Sequence, residues 1–365
     1  MRQSSTVICF GPLSGIFGIV QPARAVFVTS HALQARAEAM LLESRDGAPS
    51  LTPSDLRWIK VSDGEDCKSF QSLEAICRAL LALGADSETV LVAIGGGSVS
   101  DVAGLAAHLW NRGIRFITCP TTLLSMIDAS IGGKNAINLG SAKNVIGSFQ
   151  TPSEMFCDVR WLTTLPARDI ASGLAEAVKH AVLDGEEHFH FFEKIAASGT
   201  APKALDQATL EALIRRSLAV KERYVSADPH DTHERHALNY GHTFGHAIEL
   251  LTGLPHGFAV AAGIGTVNAL AQRRGSLSAQ DAARISALLN AFGLPSRIDE
   301  ACSMAGKAVS RRELLEMMKA DKKRRGNAIH FAIPHGIGDV RIEPVSFREL
   351  EGFLSFGVSE QGENA

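Results

Sequence analysis

The 365-residue sequence has no CxxC pair: Cys9, Cys67, Cys77, Cys119, Cys157 and Cys302 are scattered along it. Such spacing signals neither a disulfide framework nor a thiolate zinc site, and it suits a reducing cytoplasm. With a net charge of -3 there is no broad attraction for nucleic acid. No apolar run reaches the eighteen or so unbroken residues of a membrane span. Repeats are lacking, and only the polar tail from Ser359 onward hints at low complexity. Arg2, the run Val7 to Val20 and Ala23-Arg24-Ala25 imitate a signal peptide, but Gly11, Pro12, Gly15 and Gly18 interrupt it. A strand, a glycine turn and a second strand over AVFVT are expected there instead. The usual nucleotide fingerprints, GxGxxG and the Walker sequence, are also missing.

What is present is apolar content of 45%, enough core for two domains of ordinary size. The first half alternates β-rich runs with helical patterns: AVFVT, Leu33 to Leu42, LRWIKV, Leu73 to Leu83, VLVAIGGG, Asp101 to Trp110, IRFITCP. This βαβ rhythm predicts a parallel sheet with covering helices, an α/β Rossmann-like domain over 1–164. From about Leu165 strand signals fade. Leu174 to Val182, Leu210 to Tyr224, Leu238 to Leu251, Ala259 to Arg274, Asp281 to Phe292 and Arg311 to Ala320 read as helices, with a short strand near Ala328 to Ile333. The expectation for 165–365 is a mostly α-helical domain.

Three clusters carry chemistry. Gly95 to Gly97 lie where a strand ends and a helix begins, a place that offers backbone N–H groups and a positive helix end to an anion. A tight packing turn is the simpler alternative. PTTLLSMIDASIGGKNAINLGSAKN gathers Thr121, Thr122, Asp128, Lys134, Lys143 and Asn144 on glycine-rich backbone, fit for a phosphate, or else a solvated loop. Finally, RHALNYGHTFGHAIELLTGLPH sets His242 and His246 on one helix face, with His256 downstream. Imidazoles suit a zinc-like metal, although an isolated HxxxH is often a surface pair. Glu176 and Lys179 at i and i+3 read on spacing as a surface pair.

The order GGGSVSD, PTTLLSMIDASIGGK, KNVIG, LPARDIASGLAEAVKH, LNYGHTFGHAIE and HG resembles the sugar phosphate cyclases, most closely the 3-dehydroquinate synthase branch, from about Asp63 to about Gly338. The resemblance implies a Rossmann-like domain binding NAD, a helical domain holding Zn2+ or Co2+, and a homodimer. It implies metal ligands Glu176, His242 and His256, moving His246 to the substrate phosphate. For NAD it implies Asp63, Glu65, Lys68, Gly97, Ser98, Val99, Ser100, Asp101, Thr121, Thr122, Asp128, Lys134, Lys143, Trp161, Leu162, Thr163 and Thr164. Asp128 and Lys134 also face substrate, with Asn144, Lys179, Leu238, a lysine of the Lys322-Lys323 pair, and Arg112 reaching across from a partner subunit. The resemblance also implies Lys179, Lys221, Arg235, Asn239 and His246 as the catalytic set.

The implied reaction turns a seven-carbon keto acid phosphate into 3-dehydroquinate and phosphate: NAD oxidises a ring carbinol, phosphate is eliminated, the ketone is reduced, and an intramolecular aldol closes the carbocycle. Among the branches, charge discriminates. Lys221 and Arg235 suit a substrate carboxylate, whereas cyclases of neutral sugar phosphates offer them no anion, and a buried cation without one costs several kcal/mol. A surface pairing of Arg235 with Glu234 or Asp231 is the plain alternative. Departures from the family pattern include Ser98 and Ser100 in the glycine loop and HGF for HGE. The last places Phe258 where a carboxylate normally supports the metal-binding histidine. They point to a divergent member and leave open an amino-dehydroquinate synthase or other cyclase of secondary metabolism. A glycerol dehydrogenase-like enzyme or a non-catalytic relative would fit the architecture less well.

Overall fold

The computed structural model describes residues 6–43, 51–140, 142–319, 324–325 and 327–355. They form two compact units: residues 1–165 with 207–214, and 166–206 with 215–365. In the first unit run β1 (Val7–Phe10), β2 (Ala25–Ser30), α1 (Gln34–Leu41), β3 (Arg57–Val61), α2 (Phe70–Ala82) and β4 (Val90–Gly95). α3 (Gly97–Leu109), β5 (Arg115–Pro120), β6 (Lys134–Leu139), β7 (Ala142–Phe149) and β8 (Glu154–Cys157) complete it. Six strands make one parallel sheet in the order β1-β8-β5-β4-β2-β3.

β2 and β4 are buried at every residue, which is why AVFVTS and VLVAIG read as continuous apolar runs rather than alternating ones. Val26, Val28, Leu91 and Ala93 pack with Val102, Leu105 and Phe116 in the core. From β2 the chain runs out to β3, and from β4 it runs to β5 on the other side. Neighbouring strands whose connections part in this way leave a crevice at their carboxyl ends, the usual ligand position in such sheets. The glycine run sits there: Gly95 ends β4 and Gly97 begins α3. The lysine-rich segment expected as a loop is an antiparallel hairpin of β6 and β7.

The second unit holds α4 (Ala167–Asp184), α5 (Glu186–Ala197), most of α6 (Gln207–Ala227), α7 (His242–Thr252), α8 (His256–Arg274), α9 (Ala279–Ala291), α10 (Ile298–Ala305) and α11 (Arg311–Lys319). A small sheet of β9 (Arg324–Arg325), β10 (Ala328–Gly336) and β11 (Asp339–Ser346) follows, then α12 (Phe347–Ser355). α4 is buried along all of Ile170 to Leu183, so it is the central helix. β11 carries only Val345 fully inside, and its Arg341, Glu343 and Pro344 hid the strand from pattern reading. The helix expected from Leu238 to Leu251 is broken: a 3-10 turn covers Glu234–Asn239, Gly241 takes φ +79°, and α7 starts at His242. Gly241 reaches that left-handed conformation without the steric cost other residues incur. No helix among the described residues is long and apolar enough to cross a membrane.

Candidate active site

Three elements of the second unit converge on one point. Glu176 comes from the middle of α4, His242 opens α7 and His256 opens α8, and one ligand atom from each lies within 4.8 Å of the others. The Nε2 atoms of His242 and His256 stand 3.3 and 3.4 Å from Glu176 Oε1. Glycines permit this close approach. A Cβ on Gly257 would lie 2.0 Å from the Ser172 carbonyl oxygen on α4, and one on Gly263 would lie 2.1 Å from the Gly241 carbonyl oxygen just before α7. The Gly257 N–H also donates to Ser172 Oγ at 3.0 Å, anchoring the start of α8 on α4.

Burial by itself would raise the Glu176 carboxyl, but Lys179 and His242 hold it well below the usual carboxylate range. It is therefore an anion in the interior. Neither of its buried oxygens accepts a hydrogen bond of good geometry, although Lys179 Nζ pairs with Oε2 at ion-pair distance. Spacing suggested that Glu176 and Lys179 were a surface pair, yet they are 0% and 1% exposed. On the far side of each ring the proton is held. His242 Nδ1 donates to the Tyr240 carbonyl at 3.2 Å, and His256 Nδ1 faces Glu249 Oε2 at 2.9 Å. Both Nε2 atoms are left for the shared point: burial lowers the His242 pKa, which favours its neutral ligand form, whereas at His256 burial is outweighed by the carboxylates of Glu176 and Glu249, which raise its pKa to about 10, so a metal must displace a proton there. Two imidazoles, one carboxylate and an under-satisfied buried oxygen fit a divalent cation. His246 stands beside the cluster, its ring 5.4 Å from His242 and 6.1 Å from His256.

Arg235 and Asn239 lie on the 3-10 turn, which a buried carboxylate shapes. Asp228 accepts from the backbone N–H of Thr232 (2.8 Å), His233 (2.6 Å) and Arg235 (3.3 Å). Burial would raise its pKa, but these bonds and the Thr232 hydroxyl depress it strongly. Arg235 is 4% exposed and donates from Nη1 to the Pro229 carbonyl at 3.1 Å, so it is an interior residue and not a surface one. Leu238 and Ala237 pack with Leu183 of α4 and Val220 of α6 in a small core. Lys221, the residue after Val220, is buried at 8%.

The first unit assembles a separate polar cluster at the carboxyl ends of its strands. Lys68 Nζ donates to Asp101 Oδ2 at 2.6 Å and to Asn144 Oδ1. Glu65 accepts from Ser98 Oγ and from Asn138 Nδ2, each at 2.9 Å. Burial drives the Asp101 carboxyl up to about 6, against the pull of Lys68. Thr121 N–H donates to Gly95 O at 3.0 Å and Thr122 lies 3.4 Å from where a Gly96 Cβ would sit, joining the glycine turn to the segment after β5. Val99 and Ser100 are buried in the first turns of α3, and Asp63 accepts from Ala32 N–H at 3.3 Å. Trp161 and Leu162 are buried, with Arg36 stacked 4.8 Å over Trp161, while Thr163 and Thr164 are exposed. Asp128 is half-buried, and Lys134 and Lys143 are exposed on the hairpin.

Asn144, expected at the substrate phosphate, is thus bonded into the Lys68–Asp101 cluster, with φ +54°. Arg112 is exposed, and it and Asn111 both have positive φ, +63° and +47°. Lys322 and Lys323 lie outside the described residues. Sequence reasoning missed Glu249, Asp228 and Asn138. Asp228 sits in a polar stretch resembling any loop, and a contact seven residues apart around a turn, such as Glu249 to His256, leaves no periodic mark.

Comparison with known proteins bears directly on these clusters. The chain matches the 3-dehydroquinate synthase N-terminal family over residues 58–172 and the 3-dehydroquinate synthase C-terminal family over 173–324. It is 39% identical over 287 residues to the 3-dehydroquinate synthase of Campylobacter hominis, covering 78% of this chain and 79% of the relative. Among solved structures, 2-deoxy-scyllo-inosose synthase complexed with carbaglucose-6-phosphate, NAD+ and Co2+ superposes with a TM-score of 0.81 at 24% identity, covering 95% of this chain and 96% of that one. The 2-epi-5-epi-valiolone synthase of Streptomyces hygroscopicus, with NAD+ and Zn2+ bound, gives 0.81 at 23% identity, covering 98% and 97%. The chain belongs to the 3-dehydroquinate synthase family of sugar phosphate cyclases, enzymes of the carbon–oxygen lyase class.

Proposed function

We propose that this protein converts the seven-carbon keto acid phosphate 3-deoxy-arabino-heptulosonate 7-phosphate to 3-dehydroquinate and phosphate. Its place would be the shikimate pathway of aromatic amino acid biosynthesis. The observation that carries the substrate class is the burial of two cations, Lys221 and Arg235, in the unit that holds the Glu176–His242–His256 triad. Arg235 presents a rigid fork that matches a carboxylate, and Lys221 adds a second charge.

Glu176, His242 and His256 would hold Zn2+ or Co2+, which when bound polarises a substrate hydroxyl for removal of its hydrogen. NAD would lie on the first unit, against Asp63, Glu65, Lys68, Gly97 to Asp101, Thr121, Thr122, Asp128, Lys134, Lys143 and Trp161 to Thr164, supplying an acceptor for hydride and then returning it. The fit rests on the glycine turn at the start of α3 and on the polar cluster around Lys68. Lys179, buried against Glu176, keeps that carboxylate ionised. His246, with Arg112, Lys134, Asn144 and a lysine of the 322–323 pair, is assigned to the leaving phosphate. Neutralising the dianion lowers the barrier to its departure. Asn239 and Leu238 complete the substrate pocket. A homodimer is proposed with Arg112 reaching the partner's site, supported by its exposed side chain on left-handed backbone. The six free cysteines accord with a cytoplasmic setting.

The test is phosphate release by the purified protein with NAD and zinc, offered the keto acid phosphate, its amino analogue, sedoheptulose 7-phosphate and glucose 6-phosphate. Turnover of the first is expected. Release only from the amino analogue would move the protein to the amino-dehydroquinate branch, and release from none would sink the cyclase assignment.

A further inference from the structure

Phe258, two residues after His256, offers no acceptor to a histidine. Its ring is buried and lies 5.6 Å beneath the Arg168 guanidinium. His256 nevertheless has a carboxylate partner. Glu249, on the last turns of α7, brings Oε2 to 2.9 Å from His256 Nδ1. The connection that makes this possible is short: α7 ends at Thr252, Gly253 takes φ +74°, and Pro255 precedes the first turn of α8.

We infer that Glu249 is the positioning residue for His256, supplying its support from the helix that carries His242. This rests on the reading of Glu176, His242 and His256 as a metal site. A carboxylate accepts and never donates, so Nδ1 holds its hydrogen toward Glu249, and Nε2, 3.4 Å from Glu176 Oε1, is the ring atom left to face a metal ion. The two ligand rings are then held unequally. His242 leans on a neutral carbonyl, that of Tyr240, whereas His256 leans on an anion and is the more basic donor. Glu249 side-chain exposure of 17% keeps water from competing fully for that bond. One helix, α7, thereby carries a ligand at its first residue and the support for another ligand two turns later.

Zinc affinity and the His256 Nδ1–H signal, measured without reference to turnover, test the inference. The wild-type protein and Glu249→Ala and Glu249→Gln variants would be stripped of metal, then titrated with zinc against a competing chelator. Nitrogen NMR of the histidine rings and melting of the metal-free proteins would run alongside. Glu249→Ala is expected to weaken zinc binding about 10- to 100-fold, with the metal-free melting temperature little changed and the His256 Nδ1–H signal moved from its hydrogen-bonded position. Glu249→Gln keeps an acceptor but loses the charge, and should fall between. Zinc affinity of Glu249→Ala within about threefold of wild type overturns the inference. If that variant does not fold, wild-type affinity in Glu249→Gln does the same. Failure of the wild-type protein to bind zinc would instead remove the metal site itself.

Discussion

Replacing Gly257 by alanine sets two effects of opposite sign against each other. Gly257 is the second residue of α8, where alanine should favour the helix by about 1 kcal/mol. Its added Cβ, however, meets the Ser172 carbonyl oxygen at 2.0 Å, and that atom belongs to the backbone of the central helix. Real Cβ contacts stop near 3.0 Å, so α8 and α4 must part by about 1 Å at this point. Overpacking of this kind costs about 1–3 kcal/mol or more, so the packing loss outweighs the helical gain. The displacement falls between His256, one residue before, and Glu176, one turn along α4 from Ser172. Metal–ligand distances tolerate only about 0.2 Å, so metal affinity should suffer far more than the fold does. The expected result for Gly257→Ala is a melting temperature lowered by a few degrees and zinc binding weakened at least about 100-fold in a chelator competition. Zinc affinity within threefold of wild type would show that the helices are free to part, and would refute the claim that this glycine sets the ligand geometry.

Other expectations are narrower. Arg235→Met removes the proposed partner of the substrate carboxylate, a loss of about 2–5 kcal/mol; kcat/KM for the acid substrate should fall about 30- to 5000-fold with the metal content unchanged. A smaller loss than with the neighbouring Asn239→Ala would argue against Arg235 as the carboxylate anchor. In Lys68→Met the Asp101 carboxyl loses the cation that restrains it, so its pKa should rise above about 6 by NMR titration and NAD should bind at least about tenfold more weakly by calorimetry. Unchanged NAD affinity would detach this cluster from the cofactor. Asp228 has a folded pKa far below its unfolded value, so the stability it contributes is present above about pH 4 and is lost as pH falls toward the folded value. Asp228→Asn should flatten the acid limb of a melting-temperature profile between about pH 4 and pH 2; an unaltered limb would mean that the clasp on the Arg235 turn contributes nothing.

Much of the architecture was legible because it depends on local periodicity. β2 and β4 could be recognised since both faces of a central parallel strand are apolar, and α9 since its apolar stripe recurs at helical spacing. β11 was not legible, because its charges and Pro344 follow no alternation. The single helix expected from Leu238 to Leu251 failed at Gly241, where a left-handed residue interrupts an otherwise helical pattern and puts His242 at a helix start. For the site, motif order pointed to Glu176, His242 and His256 through a resemblance. Spacing alone favoured His242 with His246 and left Glu176 and Lys179 on the surface.

Residue order along the chain was sufficient for the α/β rhythm, the glycine turn after β4 and the family-specific motifs, since each is written within a few consecutive positions. Folding decided the rest. It took three-dimensional packing to bury Glu176 beside Lys179, to bring α4, α7 and α8 together over glycines 257 and 263, and to turn Glu249 toward His256 when Phe258 offers no acceptor. These are contacts between side chains on separate elements, and their energies depend on distance and exclusion of water, neither of which a linear pattern records.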